Sequence, residues 1–331
     1  MQKETLTIRL KRAAALLLAV SAALLAPHAN AQSDYPSRPV RIIVPSSPGG
    51  GTDTVARLLG QHLSEKLGQQ FVIENRPGGG SATGIEAGAR ATPDGYTLVM
   101  VASTMTSLHV TRKAMRFDAA KDFSPVTQIV SISNVLVVHP SLPVKTFAEL
   151  IDLAKREPGK LAFASPGLGS TTHMGMELLK SRAGVDLLHV PYNGVAPGLT
   201  DVLAGRVPVM LVNAVSVKQH LDAGTLRAIA VSSIKRASLL PHVPTIAESG
   251  IPGYDVYQWF GLLAPAETPK PIVSLLHREI VAGLNTPKIV NWMATEGGDP
   301  VGNKPEEYLK VIADDVERWS AVARAANLKA E

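Results

Sequence analysis

The sequence predicts an α/β protein of two domains with a ligand cleft between them. Short β-branched runs alternate with amphipathic helical stretches along most of the chain, the signature of a parallel sheet with helices on its faces. The alternation falls into two blocks. The segment after the second block has helices but too few strands for a sheet of its own, so it is expected to return to the first. At 331 residues the chain is also longer than one hydrophobic core usually fills.

In the first block, Val40 to Val44 reads as a buried strand stopped by Pro45. After Pro48-Gly49-Gly50-Gly51 a helix begins, because Val55, Leu59, Leu63 and Leu67 recur every four residues on one face. Thr52 or Asp53 is its expected N-cap. Phe71 to Ile73 is a second strand, followed by Asn75-Arg76-Pro77-Gly78-Gly79-Gly80 and a helix through Ala91. Pro93-Asp94-Gly95 turns the chain into a third strand, Thr97 to Val101.

The second block repeats the scheme. Strands are expected at 135–138, 161–163, 187–190, 207–212 and 226–231. Helices are expected at 147–156, 171–182, 195–204 and 215–221. A Pro/Gly-rich stretch, Pro241 to Gly253, closes it. A strand at 258–263 and helices at 271–284, 288–296 and 305–328 then complete domain I. The chain thus reads as domain I over 32–130 plus 258–331 and domain II over 131–257, with crossovers near residues 130 and 257.

Residues 1–31 read as a secretory signal peptide. Lys3, Arg9, Lys11 and Arg12 make a basic start, Ala13 to Ala26 an apolar run, and Ala29-Asn30-Ala31 a small-x-small cleavage pattern. At 1.5 Å rise per residue that run reaches roughly 21 Å, short of a hydrocarbon core of about 30 Å. The expected cut follows Ala31 and places the protein in the periplasm, where nucleotide cofactors are scarce. No cofactor is expected.

The chain carries a formal charge of +5, but the leader holds four positive and one negative charge, which leaves about +2 for residues 32–331. No basic block follows, and aromatics are 5%, which excludes a nucleic-acid surface and polybasic membrane binding. With no cysteine there are no disulfides and no thiolate metal sites. No later apolar run is long enough to insert into a membrane. A monomer is expected.

Ligands of open α/β sheets bind beyond the carboxyl ends of the strands. Ser46-Ser47-Pro48-Gly49-Gly50-Gly51-Thr52-Asp53 lies there, between a strand and a helix start. It lacks the lysine of a phosphate-binding P-loop and the spacing of a dinucleotide fingerprint. Unpaired amides at a helix start attract anions, and glycines let a ligand reach the backbone. Ala164-Ser165-Pro166-Gly167-Leu168-Gly169-Ser170-Thr171-Thr172-His173 is the matching loop of domain II. Ser46, Ser47, Gly50, Gly51, Asp53, Ser103 and Thr104 are the candidate ligand-binding residues of one wall. Gly167, Ser170, Thr171 and His173 form the other, with Asn193, Gly194 and Asn213 beside them. Asp53 also suits a helix cap, and His173 a capping or packing role. His173 and Glu177 lie one helical turn apart but lack a third ligand, so no metal is expected.

These residues also carry a resemblance that runs through the chain from Tyr35 onward. Tyr35-Pro36-Ser37-Arg38-Pro39-Val40-Arg41, Pro48-Gly49-Gly50 with Asp53, and Glu74-Asn75-Arg76-Pro77-Gly78 come first. Asp94-Gly95-Tyr96-Thr97-Leu98, Ser170 with His173, and His189-Val190-Pro191-Tyr192 with Gly194 follow. Asp201 with Gly205, and Trp259-Phe260-Gly261 with Ala264-Pro265, complete the set. In this order they resemble the periplasmic solute receptors of tripartite tricarboxylate transporters, the Bug receptors. The resemblance implies a periplasmic-binding-protein-like (Venus flytrap) fold that closes on a small organic acid and delivers it to the membrane permease subunits. It further implies a carboxylate held by backbone amides, hydroxyls and water rather than by arginine. The family commonly has Phe where this chain has Ser46, so a smaller, more polar wall and a different ligand are expected.

Two other readings share the elements. One is a secreted α/β hydrolase built on Ser170 and His173. The other is a receptor that presents its liganded form to a membrane kinase.

Overall fold

The computed structural model describes residues 35–111 and 115–328. The expected signal peptide and its cut after Ala31 lie outside them. From Arg38 onward the chain forms one compact unit.

Its strands join in the order β2-β1-β3-β9-β4-β7-β5-β6. Here β1 (Val40–Val44) lies parallel to both β2 (Phe71–Asn75) and β3 (Thr97–Ala102). The late strand β9 (Tyr257–Pro265) inserts antiparallel between β3 and β4 (Phe123–Val138). At its far end β4 pairs antiparallel with β7 (Val209–Asn213) and β8 (Arg227–Val231). Strand β5 (Ala162–Ser165) runs parallel to β7, and β6 (Leu188–Pro191) parallel to β5. A short β10 (Gly298–Pro300), not expected from sequence, pairs with the middle of β4.

The sheets are therefore mixed, not purely parallel, because the returning chain enters against the direction of β3. The principal surprise is β4. Sequence predicts a strand only over 135–138, yet the strand is 16 residues long. Its first part is rich in Ser, Thr and Gln, which reads as loop. These side chains find partners elsewhere in the fold: Thr127 Oγ1 donates to Asn303 O at 2.8 Å, and Ser133 Oγ lies 2.7 Å from Ser233 Oγ. Residues 123–133 belong to the first sheet and 134–138 to the second, so one strand threads both.

Helices cover both faces. Leu136, Val138, Phe163 and Leu211 point into one core with Met174, Phe147 and Tyr254. Val135, Val137, Ala164 and Met210 point into the opposite core. This period-two split is what a strand buried on both faces requires. Ile43, Val99, Val101 and Leu263 face Trp259, Tyr308 and Ile312 in the first sheet's core. Each such buried side chain contributes roughly 1.5–3 kcal/mol of hydrophobic transfer.

The helices Lys270–Gly283 and Pro287–Glu296 pack on the helix Gly51–Leu67. The last helix, Pro305–Ala325, reaches further than expected. Tyr308 and Ile312 sit in the first sheet's core, while Trp319, Val322 and Ala323 join the second sheet's core.

Candidate ligand-binding site

The strand ends decide where the loops gather. At the end of β3, Ala102 pairs with Phe260, and β9 continues back to Tyr257, which pairs with Ser133 of β4. The next residue of β4, Asn134, pairs with Asn213, the last residue of β7. The carboxyl ends of the parallel strands on both sides thus point toward Ser133–Asn134, where β4 changes sheet. The loops after β1, β3, β5, β6 and β7 collect around that point, as ligand-binding loops of open α/β sheets do.

The loop after β1 enters the helix Gly51–Leu67 with Gly50 as N-cap and no side-chain cap. The expected cap at Thr52 or Asp53 is corrected: both lie inside the first turn. Asp53 is 3% exposed, and its carboxylate accepts from Gly49 N at 2.9 Å, Arg57 Nε at 3.0 Å and Asn75 Nδ2 at 2.9 Å. Burial alone would raise its pKa, but the bonds from Arg57, Gly49 and Asn75 outweigh it and hold the group below the usual carboxylate value. Asp53 therefore shapes the loop and has its oxygens committed to the protein. Asn75 also donates to Ser46 O at 3.1 Å, which ties the loop to β2. Ser46 Oγ is buried without a protein partner, and Ser47 is exposed. A Cβ added at Gly49 or Gly50 would meet nothing within 4 Å, so this loop presents bare backbone to open space, whereas Gly51 faces the Phe260 ring. Arg76 pairs with Glu74.

The loop after β5 is built differently. Ser170 caps the helix Thr171–Ala183: its Oγ accepts from His173 N at 3.2 Å and donates to Gly167 O at 2.8 Å. Gly167 has φ +135°, which only glycine adopts without strain. Gly169 N donates to His173 Nδ1 at 3.1 Å, which puts the ring proton on Nε2. The His173 ring is fully buried and stacks on His189 at 4.0 Å between centroids, and His189 stacks on Phe163 at 4.9 Å. Burial, the neighbouring His189 and then Lys180 lower the His173 pKa to about 3; burial and Lys180 lower that of His189 to about 4. Sequence reading puts His173 on the cleft wall and also allows it a capping or packing role; the structure gives it the packing role, as the buried pin that holds Gly169.

The two walls touch. Ser103 Oγ lies 3.2 Å from Thr171 Oγ1, and Ser107 Oγ donates to Gly169 O at 3.0 Å. Thr104 sits beside them in the 3₁₀ segment Ser103–Ser107. Gly194, at φ +107°, starts the helix Val195–Leu203 and its N–H donates to Pro166 O at 3.1 Å. Asn193 beside it is exposed. Asn213 Oδ1 accepts from Val215 N at 2.8 Å and caps the next helix. Sequence reasoning missed Ser107, Thr172 and Asn134. The last two are buried polar residues whose side chains have no protein partner.

The Ser170–His173 pair of the hydrolase reading is not a dyad. The serine hydroxyl is spent on Gly167 O and on the backbone of His173, and the imidazole Nδ1 is spent on Gly169. Among the described residues no group of three metal-ligating side chains converges.

The family model for the tripartite tricarboxylate transporter family receptor matches residues 55–328. This chain belongs to that family. Protein BugT of Bordetella pertussis is 37% identical to this receptor over 298 residues, covering 89% of this chain and 91% of that protein. An R. palustris protein solved with adipate superposes with a TM-score of 0.73 at 37% identity, covering 90% of this chain and 100% of that one. MatC of Rhodopseudomonas palustris, solved with bound malate, gives a TM-score of 0.68 at 30% identity, covering 87% and 99%. The receptor accordingly has the two-domain solute-binding fold.

Several motif residues of the receptor are braces behind the loops. Tyr192 OH donates to Asp201 Oδ2 at 2.7 Å, Asp201 pairs with Arg206, and the Tyr192 ring lies against Gly198. Ser165 Oγ lies 2.6 Å from His189 Nε2.

Proposed function

We propose that the receptor captures a small aliphatic carboxylate between lobes formed by residues 32–130 plus 258–331 and by 131–257, and hands it to the permease subunits of a tripartite tricarboxylate transporter. It works in the periplasm after cleavage behind Ala31. The lobes close by bending at Ser133–Asn134 and at the return near Val256. The observation that carries this reading is the pair of glycine-rich loops, 45–51 and 165–171, at the strand ends of the two sheets, each opening a helix of more than ten residues. Neither loop holds a lysine or arginine. First-turn amides and hydroxyls then supply the positive potential that a carboxylate needs. The acids held by two of the solved relatives are of this class.

The test is a thermal-shift screen of the purified receptor against small mono- and dicarboxylates. A ligand present at a hundred times its Kd adds about 2.7 kcal/mol to the folded state. A shift with one acid, recovered chemically unchanged, supports capture without turnover. No shift from any carboxylate, in protein freed of carried-over ligand, overturns the proposal.

A further inference from the structure

The point where β4 passes from one sheet to the other carries a residue whose chemistry the fold does not use. Asn134 is fully buried, and neither its Nδ2 nor its Oδ1 has a hydrogen-bond partner in the protein. Its backbone is held firmly. Its carbonyl accepts from Ser232 N at 2.9 Å, and it sits in the ladder opposite Asn213. Alternation along β4 puts its side chain on the face shared by Leu136 and Val138, the face covered by the helix Thr171–Ala183 through Met174, Met176 and Leu179. Thr172, in the first turn of that helix, is 3% exposed, and its Oγ1 also lacks a protein partner.

Burying an amide without hydrogen bonds is costly, and native structures leave few such groups. Leucine at this position would fill similar space in an otherwise apolar strand end at no such cost. The residue lies where β4 changes sheet, next to Ser133 and opposite Asn213 at the carboxyl end of β7. An amide has a donor side and an acceptor side, and here both are free. A carboxylate can accept from Nδ2, but it has nothing to donate to Oδ1. The group that satisfies both offers an acceptor and a donor on neighbouring atoms.

We infer that Asn134 is a specificity-determining residue that selects acids bearing a hydroxyl or amino group beside a carboxylate over the unsubstituted acids of the same length. This rests on the proposed reading of the cleft as a carboxylate site. Nδ2 donates to a carboxylate oxygen, Oδ1 accepts from the substituent, and the Thr172 hydroxyl completes the shell on the helix side. A site built to bond such a group discriminates strongly against the analogue that lacks it, because its own polar atoms are then left bare.

The experiment is calorimetric titration of the full receptor with matched sets of four-, five- and six-carbon acids: succinate, malate and aspartate; glutarate, 2-hydroxyglutarate and glutamate; adipate, 2-hydroxyadipate and 2-aminoadipate. In at least one set the wild type should bind a substituted acid about tenfold or more tighter than the unsubstituted one. Asn134→Ala should erase most of that ratio: the unsubstituted acid loses only the Nδ2 bond, whereas the substituted acid loses the Nδ2 and Oδ1 bonds together and weakens several-fold more. Malate-type against aspartate-type preference tells hydroxyl from amine. Asn134→Leu, which keeps the volume, should give ligand-free protein that unfolds at or above the wild-type temperature, because no protein hydrogen bond is lost. A wild type that binds unsubstituted acids as tightly as substituted ones overturns this inference and leaves the carboxylate reading standing. So does an unchanged ratio in Asn134→Ala, or a lowered unfolding temperature in ligand-free Asn134→Leu. Binding of none of the nine acids overturns this inference, and the carboxylate reading then falls only if the thermal-shift screen is also blank.

Discussion

The loops after β1 and β5 are counterparts: each leaves a parallel strand, runs through glycines and opens a helix. They share one device and differ around it. In each, the third residue of the helix accepts from the loop amide four residues back, Asp53 from Gly49 N and His173 from Gly169 N. The first is tied further to Asn75 and Arg57, and its N-cap Gly50 has no side chain. The second is capped by the Ser170 hydroxyl, and its histidine ring is buried in the core. The difference teaches a division of labour. The second loop is a preformed frame whose shape is part of the core of its sheet, whereas the first is bare backbone on a brace and is the more readily tuned.

The comparison breaks most visibly at His173. Replacing this buried ring by alanine removes packing against His189 and frees Gly169, and the expected loss is about 3 kcal/mol of stability together with ligand affinity. Chemical denaturation measures the first and titration the second. A variant of wild-type stability would show that the loop stands without its pin.

The same rings give the receptor a pH dependence with a definite sign. An unfolded histidine protonates near pH 6.5, but in the fold His173 stays neutral down to about 3 and His189 to about 4. Below pH 6.5 the unfolded chain therefore binds protons that the native state refuses. The stabilisation is complete above that pH and is lost as pH falls toward 4. For each ring the slope is roughly 1.4 kcal/mol per pH unit across the window. Denaturation of wild type and His173→Gln at pH 7, 6, 5 and 4 isolates one ring: the gap between them should narrow as pH falls. A constant gap would mean that the buried ring titrates normally.

Where pattern alone governs structure, the sequence was a sound guide. The four-residue repeat of Val55, Leu59, Leu63 and Leu67 marks a helix that ends at Leu67, and the apolar run from Val40 marks β1. It was a poor guide where distant partners decide. The first part of β4 looks like loop because its buried Thr127 and Ser133 are satisfied by Asn303 and Ser233, far along the chain. The site divides in the same way. Glycines and a cap at a helix start are local signals, and both loops were readable. Whether Asp53 and His173 turn toward a ligand or into the protein depends also on Asn75 and His189, distant in the chain, whose placement only the fold supplies. Asn134 gave no local sign, since a single asparagine before an apolar run looks like the edge of a turn.

Asp53 offers the next test of the comparison. Asp53→Ala strands the donors of Gly49, Asn75 and Arg57, and the expected cost is about 1–3 kcal/mol, smaller than at His173 because the partly exposed Arg57 can turn to water. Asp53→Asn should recover part of the loss, since one amide oxygen can still accept from Gly49. Equal losses in the two variants would assign the effect to charge rather than to the shape of the loop.

Ser46→Phe tests the same wall from the side-chain end. Ser46 Oγ is buried without a protein partner, so the substitution replaces an unpartnered hydroxyl by a bulky apolar ring in the first loop. The order of preference among the acids should change by several-fold at nearly constant stability, and an unchanged order in titration would take Ser46 out of the site.

The smallest expected change in stability carries the sharpest reading of the first loop. Gly50 has φ −80° and ψ 166°, which serine adopts without strain, and its Cβ would point into open space. Gly50→Ser thus gives the first loop the cap that Ser170 already gives the second. Stability should rise by a few tenths of a kcal/mol. The new hydroxyl would take up a first-turn amide, as Ser170 takes His173 N, and that amide is then no longer available to a carboxylate. Affinity should fall several-fold while the unfolding temperature rises slightly. Those two changes have opposite signs only if the first loop binds its ligand through the uncapped helix start. A variant that gains stability and keeps its affinity would move the anion contact to the second loop alone.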